Sequence, residues 1–504
     1  MSLALSSFIL VSGLSIAAIL SSNILAPFQS ILAASNGTQT HEFNTINATC
    51  QVIARAISHE SLVSWPGSPD FDLDTHHWAN SSTQLSTCSV RPGNTNDLGK
   101  IIQLIGWTQT PFAITGGGHS LNPGFSSTTG IHIAMSNFNH LQHNEDTATV
   151  DIGAGLRWDN VYDLLNPKGY TVVGGRVRGV GVAGFILGGG LSWITNEHGL
   201  TIDTLLACEI VLPNGTVTTT SAQKNPDLFY GLKGGFNNFG IVTKFTLKVI
   251  PQGDIWGGSV IVPESDIERA NNAIANFASN TRDPKATMNI IFDYVHGKLT
   301  AIIIVFYNAP SPPAGIFDEA LSIQNSIVQV SSMPFLTLLS AGQPSNTPRR
   351  IQDEAPIQKW TPSLLNKVAN ETKFWGSYLE QHHSGFFFQY VVEVFLPDYY
   401  SHGPPSAWPA DRSVVHFPLN VAYAWFDEKS DAVIHDALRQ SIAQVRADAE
   451  AEGQSLVNAS LYPNLPLLGT PIELMYGKNL ERLREIRAVY DPHRVMDLSG
   501  GWHF

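Results

Sequence analysis

Gly116-Gly117-Gly118-His119-Ser120 places one imidazole directly after three glycines. Glycine lets the main chain turn tightly and approach a ligand, so its N–H groups can reach a phosphate. A neutral imidazole held on such a loop can serve as base, ligand or nucleophile. Two more glycine-rich runs follow, from Gly174 to Gly190 and from Gly231 to Gly240. Each lies beside a strand-like segment, which would converge several N–H donors on one pyrophosphate. None is a Gly-x-Gly-x-x-Gly opening a helix after a first strand, so the standard doubly wound dinucleotide site is disfavoured. By spacing alone the same glycines serve equally well as turns.

The elements that must position these loops alternate between residues 85 and 250. Asn94-Thr95 caps a predicted helix whose Leu98, Ile101, Ile102 and Ile105 fall at helical spacing. Phe112-Ala113-Ile114 reads as a short buried strand entering the first glycine loop, and Thr149 to Ile152 as another. Leu205 to Val211 and Ile241 to Ile250 are further strands. From Trp256 to about Glu452 long β-prone runs appear, such as Leu299 to Tyr307 and Phe386 to Phe395, separated by helical stretches. That texture predicts a second α+β domain on an antiparallel sheet. The tail from Tyr476 returns to helix, with Leu480, Leu483 and Ile486 on one side, and stops near Asp491-Pro492.

A chain of 504 residues exceeds one ordinary core, so two domains are expected. With 14% charged residues and a formal net charge of −13, it lacks the basic surface that nucleic acid or anionic membranes require. No Cys-x-x-Cys or His-x-x-x-His grouping suggests a metal. The segment before Glu42 carries no Asp, Glu, Lys or Arg, and Leu3 to Leu20 is apolar with interspersed serines. It reads as a signal peptide over residues 1–35, with an uncleaved anchor as the alternative. Asn-x-Ser/Thr sequons at Asn36, Asn47, Asn80, Asn214, Asn370 and Asn458 point the same way. Of three cysteines, Cys50 and Cys88 flank a segment that a bridge would pin, whereas Cys208 sits in a strand and is expected to be buried and inert.

Together, Gly116 to Ser120, Val173-Gly174-Gly175-Arg176, Gly179 to Gly184 with Gly188-Gly189-Gly190, and Asn225-Pro226-Asp227-Leu228-Phe229 resemble the FAD-binding domain of the vanillyl-alcohol-oxidase type. Lys233-Gly234-Gly235, Asn237 to Thr243, and the tail from Tyr476-Gly477-Lys478-Asn479 to Asp491-Pro492 extend the likeness to residues 50–504. The nearest branch is the berberine-bridge-enzyme-like, oxygen-dependent FAD-linked oxidoreductases of fungal secondary metabolism. The resemblance implies an α+β fold with a PCMH-type two-subdomain FAD-binding domain and an inserted antiparallel-sheet substrate domain. Its boundaries would be 45–252 and 455–504 for the FAD domain and 253–454 for the insert. It implies a flavin linked through its 8α-methyl to His119. Thr115, Gly116, Gly117, Gly118 and Ser120 would hold the pyrophosphate, and Gly181, Val182, Gly184, Gly189 and Val242 the ribityl chain and isoalloxazine. Asn479 would close the site from the tail, and Val180 would gate O₂ at the flavin. The implied chemistry is hydride transfer from a small molecule to flavin N5 and reoxidation by O₂ to H₂O₂.

Several positions depart from the family. Bicovalent members have a flavin-linked cysteine where this chain has Val177, so a single covalent bond is expected. A frequent histidine is Phe185, a plant active-site tyrosine is Leu191, and plant Lys and Gln positions fall on Pro418 and Asn420. The base must therefore be sought elsewhere. Glu393 shares a strand face with Gln389, and Tyr423 and Tyr462 are the other candidates; a strand-edge charge meeting solvent and packed aromatics are the plain alternatives. A cyclase or isomerase, a carbohydrate or alcohol oxidase, and a flavin carrier without turnover are the competing functions. A monomer is expected.

Overall fold

Local sequence builds the first sheet around the loop of interest. The computed structural model describes residues 39–339 and 348–504, so the expected signal peptide and Asn36 lie outside the described residues. Strands β1 (Leu62–Ser64), β2 (Cys88–Arg91), β3 (Phe112–Thr115) and β4 (Ile131–Ala134) lie in the order β1-β2-β4-β3. The last three run parallel. The helix Thr95–Thr108 makes one crossover, its N-terminus capped by Asn94 accepting from Asp97 N–H. Leu98, Ile101, Ile102 and Ile105 are fully buried on its inner face. Cys50, on the helix Gln39–Ala56, is disulfide-bonded to Cys88 of β2.

A second, antiparallel sheet uses β5 (Leu141–Asn144), β6 (Thr149–Gly153), β8 (Leu205–Val211), β9 (Val217–Ser221) and β10 (Ile241–Lys248) in the order β5-β6-β10-β8-β9. A ribbon of β7 (Tyr170–Thr171) and β11 (Ile250–Pro251) flanks it. Free Cys208 is buried in β8, and burial pushes its thiol up beyond the usual range.

The third sheet is antiparallel throughout, in the order β15-β12-β14-β13-β17-β18-β16. Its strands are β12 (Ile255–Pro263), β13 (Ala286–Val295), β14 (Lys298–Tyr307), β15 (Ile327–Met333), β16 (Arg349–Ile357), β17 (Gly385–Val392) and β18 (Phe417–Trp425). The helices Ile267–Asn280, Pro362–His382 and Asp431–Ala451 pack on one face. Ile290, Phe292, Ile303, Val305, Tyr390 and Val392 are buried beneath them, and the alternate residues turn the other way. The chain then returns to the first half: Tyr476 Oη donates to Gly234 O, and Asn238 Nδ2 donates to Trp502 O. The fold is thus α+β, with the large sheet placed between two segments of a glycine-loop domain.

Strand β17 ends at Val392, short of the Phe395 expected from sequence. Beyond it, side-chain amides replace the ladder. Val394 N–H donates to Asn289 Oδ1 and Leu396 N–H to Asn196 Oδ1, while Glu393 O accepts from Trp360 Nε1. Glu393 is carried inward by this turn and is 5% exposed, which corrects the reading of a strand-edge charge in solvent.

Candidate functional site

Gly116 to Ser120 leave β3 at its carboxyl end. Trp78 N–H donates to Gly118 O, and Gly118 has φ +69° with His76 O where a β-carbon would stand, so no side chain fits. At Gly117 a β-carbon would lie 2.4 Å from Gly181 N. The first two glycine runs therefore touch backbone to backbone. The N–H groups of Gly117, Gly118, His119 and Ser120 make no hydrogen bond among the described residues. Unpaired donors gathered on one loop form a ready anion cradle.

His119 borders a cavity of about 730 Å³. Its ring stacks on Trp78 at 4.8 Å, and its buried Nε2 has no hydrogen-bond partner among the described residues. Burial, then the Arg350 and Arg157 charges, push its pKa down to about 4, so the imidazole is neutral at physiological pH. Arg350, from β16, lies 4.6 Å from the Trp78 ring centre and 5.3 Å from that of Phe387.

The second run arrives by a separate route. Val182 N–H donates to Leu156 O and Trp158 N–H to Val180 O, tying the short helix Val182–Leu187 to the end of the second sheet. Val180, Gly181 and Gly184 line the cavity with Gly116, Gly117, Gly118, Ser120 and Val242. Thr115, Val182, Gly189 and Asn479 do not border it. Thr115 Oγ1 donates to Ser126 O. Val182 is wholly buried, and Gly189 is packed against the Trp408 ring. Asn479 Nδ2 donates to Ser406 O and Ala407 O. These four shape the loops from behind. The tail closes the cavity with Tyr462 to Leu465 and Gly501 instead.

The base candidates separate by location. Tyr423 is wholly buried on the helix side of the sheet, its hydroxyl 2.6 Å from that of Tyr390, which also meets Ser441 Oγ. It is therefore removed from the site. Glu393 lines the cavity, but Arg176 donates to both its oxygens at 2.6 Å and Asn289 Nδ2 donates to Oε2 at 2.8 Å. Its lone pairs are committed to holding Arg176, which lies 5.4 Å from the Trp193 ring centre. Tyr462 also lines the cavity, and its Oη accepts from Asn464 Nδ2 at 2.9 Å. Burial pushes its phenol up to about 12, opposed by that hydrogen bond, the Arg176 charge and the Gly190 and Leu191 amides.

The departures also find places. Val177 lines the cavity, and Cys208 does not. Phe185 and Asn420 line it too, whereas Leu191 and Pro418 border a void of about 10 Å³ behind Tyr462. Trp78, Arg350 and Asn464 were not foreseen. Asn464 follows Tyr462 by two residues, a spacing visible in the sequence, but nothing local marks the other two.

An FAD fits these residues. The cradle has unpaired amides and opens on glycines, and a neutral imidazole with an unpartnered Nε2 stands at its end. The family model described as "FAD binding domain" matches residues 86–221, and that described as "Berberine and berberine like" matches 463–498. An uncharacterized FAD-linked oxidoreductase of Arthroderma benhamiae is 38% identical over 286 residues, 55% of the chain and 57% of that relative. An FAD-dependent monooxygenase of Arthrobotrys oligospora is 36% identical over 445 residues, covering 84% of the chain and 83% of the relative. In fold, the chain is similar to the glucooligosaccharide oxidase of Acremonium strictum, which carries a 6-S-cysteinyl, 8α-N1-histidyl FAD. The TM-score is 0.70 at 18% identity, over 90% of this chain and 98% of that one. Both segments of the glycine-loop domain, the cradle they build and the likeness to a fungal relative over more than four-fifths of each chain lead to one conclusion: the chain belongs to the berberine-bridge-enzyme-like, FAD-linked oxidoreductases.

Proposed function

We propose that this enzyme is an oxidase that carries FAD on a single covalent bond to His119 and oxidises a small molecule. The observation that supports it most is the neutral His119 imidazole, its buried Nε2 without a partner among the described residues, at the end of a cradle of unpaired amides. When bound there, FAD supplies a hydride acceptor for the substrate and an electron donor to O₂, which leaves as H₂O₂. The chain's own residues do the rest. Gly117 to Ser120 hold the pyrophosphate, His119 anchors the ring system, and Val177 has no nucleophilic atom for a second bond. Arg176, fixed by Glu393, sets a positive charge beside Tyr462, and Tyr462 takes the substrate proton. Val180 leaves room for O₂.

The test is the denatured protein. It should stay yellow, and one peptide containing His119 should carry the whole FAD mass. Release of flavin in acid, or a flavin-bearing cysteine peptide, would overturn the linkage. Turnover should give one H₂O₂ per substrate oxidised.

A second reading follows from the relative called a monooxygenase. Under ¹⁸O₂ that reaction places label in the product, whereas the oxidase leaves it all in peroxide. A cyclase or isomerase would not leave the flavin lastingly bleached when mixed with substrate anaerobically.

We further propose entry into the secretory pathway. The Cys50–Cys88 disulfide suits an oxidising compartment. Asn80, Asn214, Asn370 and Asn458 are exposed and Asn47 half-buried. No helix among the described residues is long and apolar enough to cross a membrane. Endoglycosidase treatment of protein from culture medium should lower its mass; protein confined to cell lysate and unaffected by the enzyme would oppose this.

A further inference from the structure

The large sheet carries apolar residues on both faces at its centre. Its helix side holds the buried set already described. On the opposite side Ile291 of β13, Val391 of β17 and Ile304 of β14 line the cavity and are each only half-buried. Ile291 and Val391 are direct cross-strand partners, and Ile304 pairs with Asn289, two residues before Ile291. An antiparallel sheet with one face toward water normally alternates apolar with polar residues. Here the alternation fails where the sheet faces the flavin loops, leaving aliphatic surface uncovered by any described element.

Asn420, the cross-strand partner of Val391, keeps a buried Oδ1 without a partner among the described residues, as does Trp193 at Nε1, but other polar groups on that wall are engaged with one another. Asn289 uses Nδ2 on Glu393 and Oδ1 on Val394 N–H. Gln389 donates to Asp293, Gln352 donates to Asn464 O, and Arg176 is closed on Glu393. A saccharide presents hydroxyls in every direction and loses water at each, so it needs many uncommitted partners. A flat apolar ring system needs the area that Ile291, Val391 and Ile304 offer.

We infer that the substrate is a neutral, predominantly apolar, ring-bearing molecule seated on Ile291, Val391 and Ile304, and that the site prefers it to oligosaccharides. This rests on the reading of the cavity as a flavin site, but not on the reaction being an oxidase reaction. Binding is read on oxidised holoenzyme under anaerobic conditions, from the change in the flavin absorbance spectrum, with 2-naphthol and cellobiose as probes. The expected result is saturable binding of 2-naphthol at least tenfold tighter than that of cellobiose. V391N should weaken 2-naphthol about tenfold while the flavin spectrum of the free enzyme is unchanged; V391A serves if the Asn variant does not fold, with a smaller loss in the same direction. Equal or tighter binding of cellobiose, no binding of 2-naphthol, or a folded Val391 variant with unaltered affinity would each overturn the proposal. Failure of the oxidase reading would appear separately, as slow reoxidation of an enzyme that still binds the probe.

Discussion

Tyr462 and Glu393 illustrate how a residue's partners decide its chemistry. Both line the cavity, but the carboxylate is ion-paired with Arg176 and held by Asn289, whereas the phenol meets only neutral hydrogen-bond donors, Asn464 and the Gly190 and Leu191 amides. Because burial holds the Tyr462 phenol up at about 12, only a small deprotonated fraction exists near neutrality. If that fraction is the base, kcat should rise about tenfold per pH unit between pH 7 and 10. Tyr462→Phe should lower kcat by roughly 10²–10⁴-fold and flatten the profile. A Phe variant that kept the same slope would remove Tyr462 from this role. Val180→Leu, which extends a side chain into the cavity, should slow reoxidation of the reduced enzyme by about tenfold or more, a change of at least ~1.4 kcal/mol in barrier. Stopped-flow mixing with air-saturated buffer measures this, and an unchanged rate would show that oxygen arrives another way. His119 was legible because three glycines announce a loop that must come close to something. Trp78 and Arg350 were not, since one enters from an upstream loop and the other from β16, and only folding brings them to the imidazole.

At the scale of elements, the strands and the helix Thr95–Thr108 followed from periodicity and capping, because each is buried on a predictable face. The end of β17 did not. A run of apolar residues from Phe386 to Phe395 carries no sign that Asn289 and Asn196 will replace its ladder partners. That substitution brings Glu393 inward. The Cys50–Cys88 bridge ties the first described helix to β2 and closes a 38-residue separation. Replacing both cysteines by alanine should cost roughly 2–5 kcal/mol. Chemical denaturation of holoenzyme with and without the substitutions measures this. A double variant as stable as the parent would mean that the contacts of the helix Gln39–Ala56 suffice alone.

For the whole molecule, chain length and the change of texture after Trp256 implied two domains, yet the return of the tail to the first half was expected only through family resemblance. Long-range closure of this kind leaves no periodic trace; it depends on pairs such as Tyr476 with Gly234 and Asn238 with Trp502. The contact of Gly117 with Gly181 lies where the first sheet's loop meets the second sheet's loop. Gly181 has φ −70°, which alanine adopts freely, so only the neighbouring backbone forbids a methyl group there. A methyl on either residue meets the other at 2.4 Å. The two positions thus share one clearance. Gly117→Ala and Gly181→Ala should each destabilise the protein, but the double variant should lose less than their sum, by ~0.5–3 kcal/mol of coupling. Strict additivity of the unfolding free energies would contradict this. If the coupling is real, neither loop can drift independently of the other, and two stretches far apart in the chain are inherited as one object.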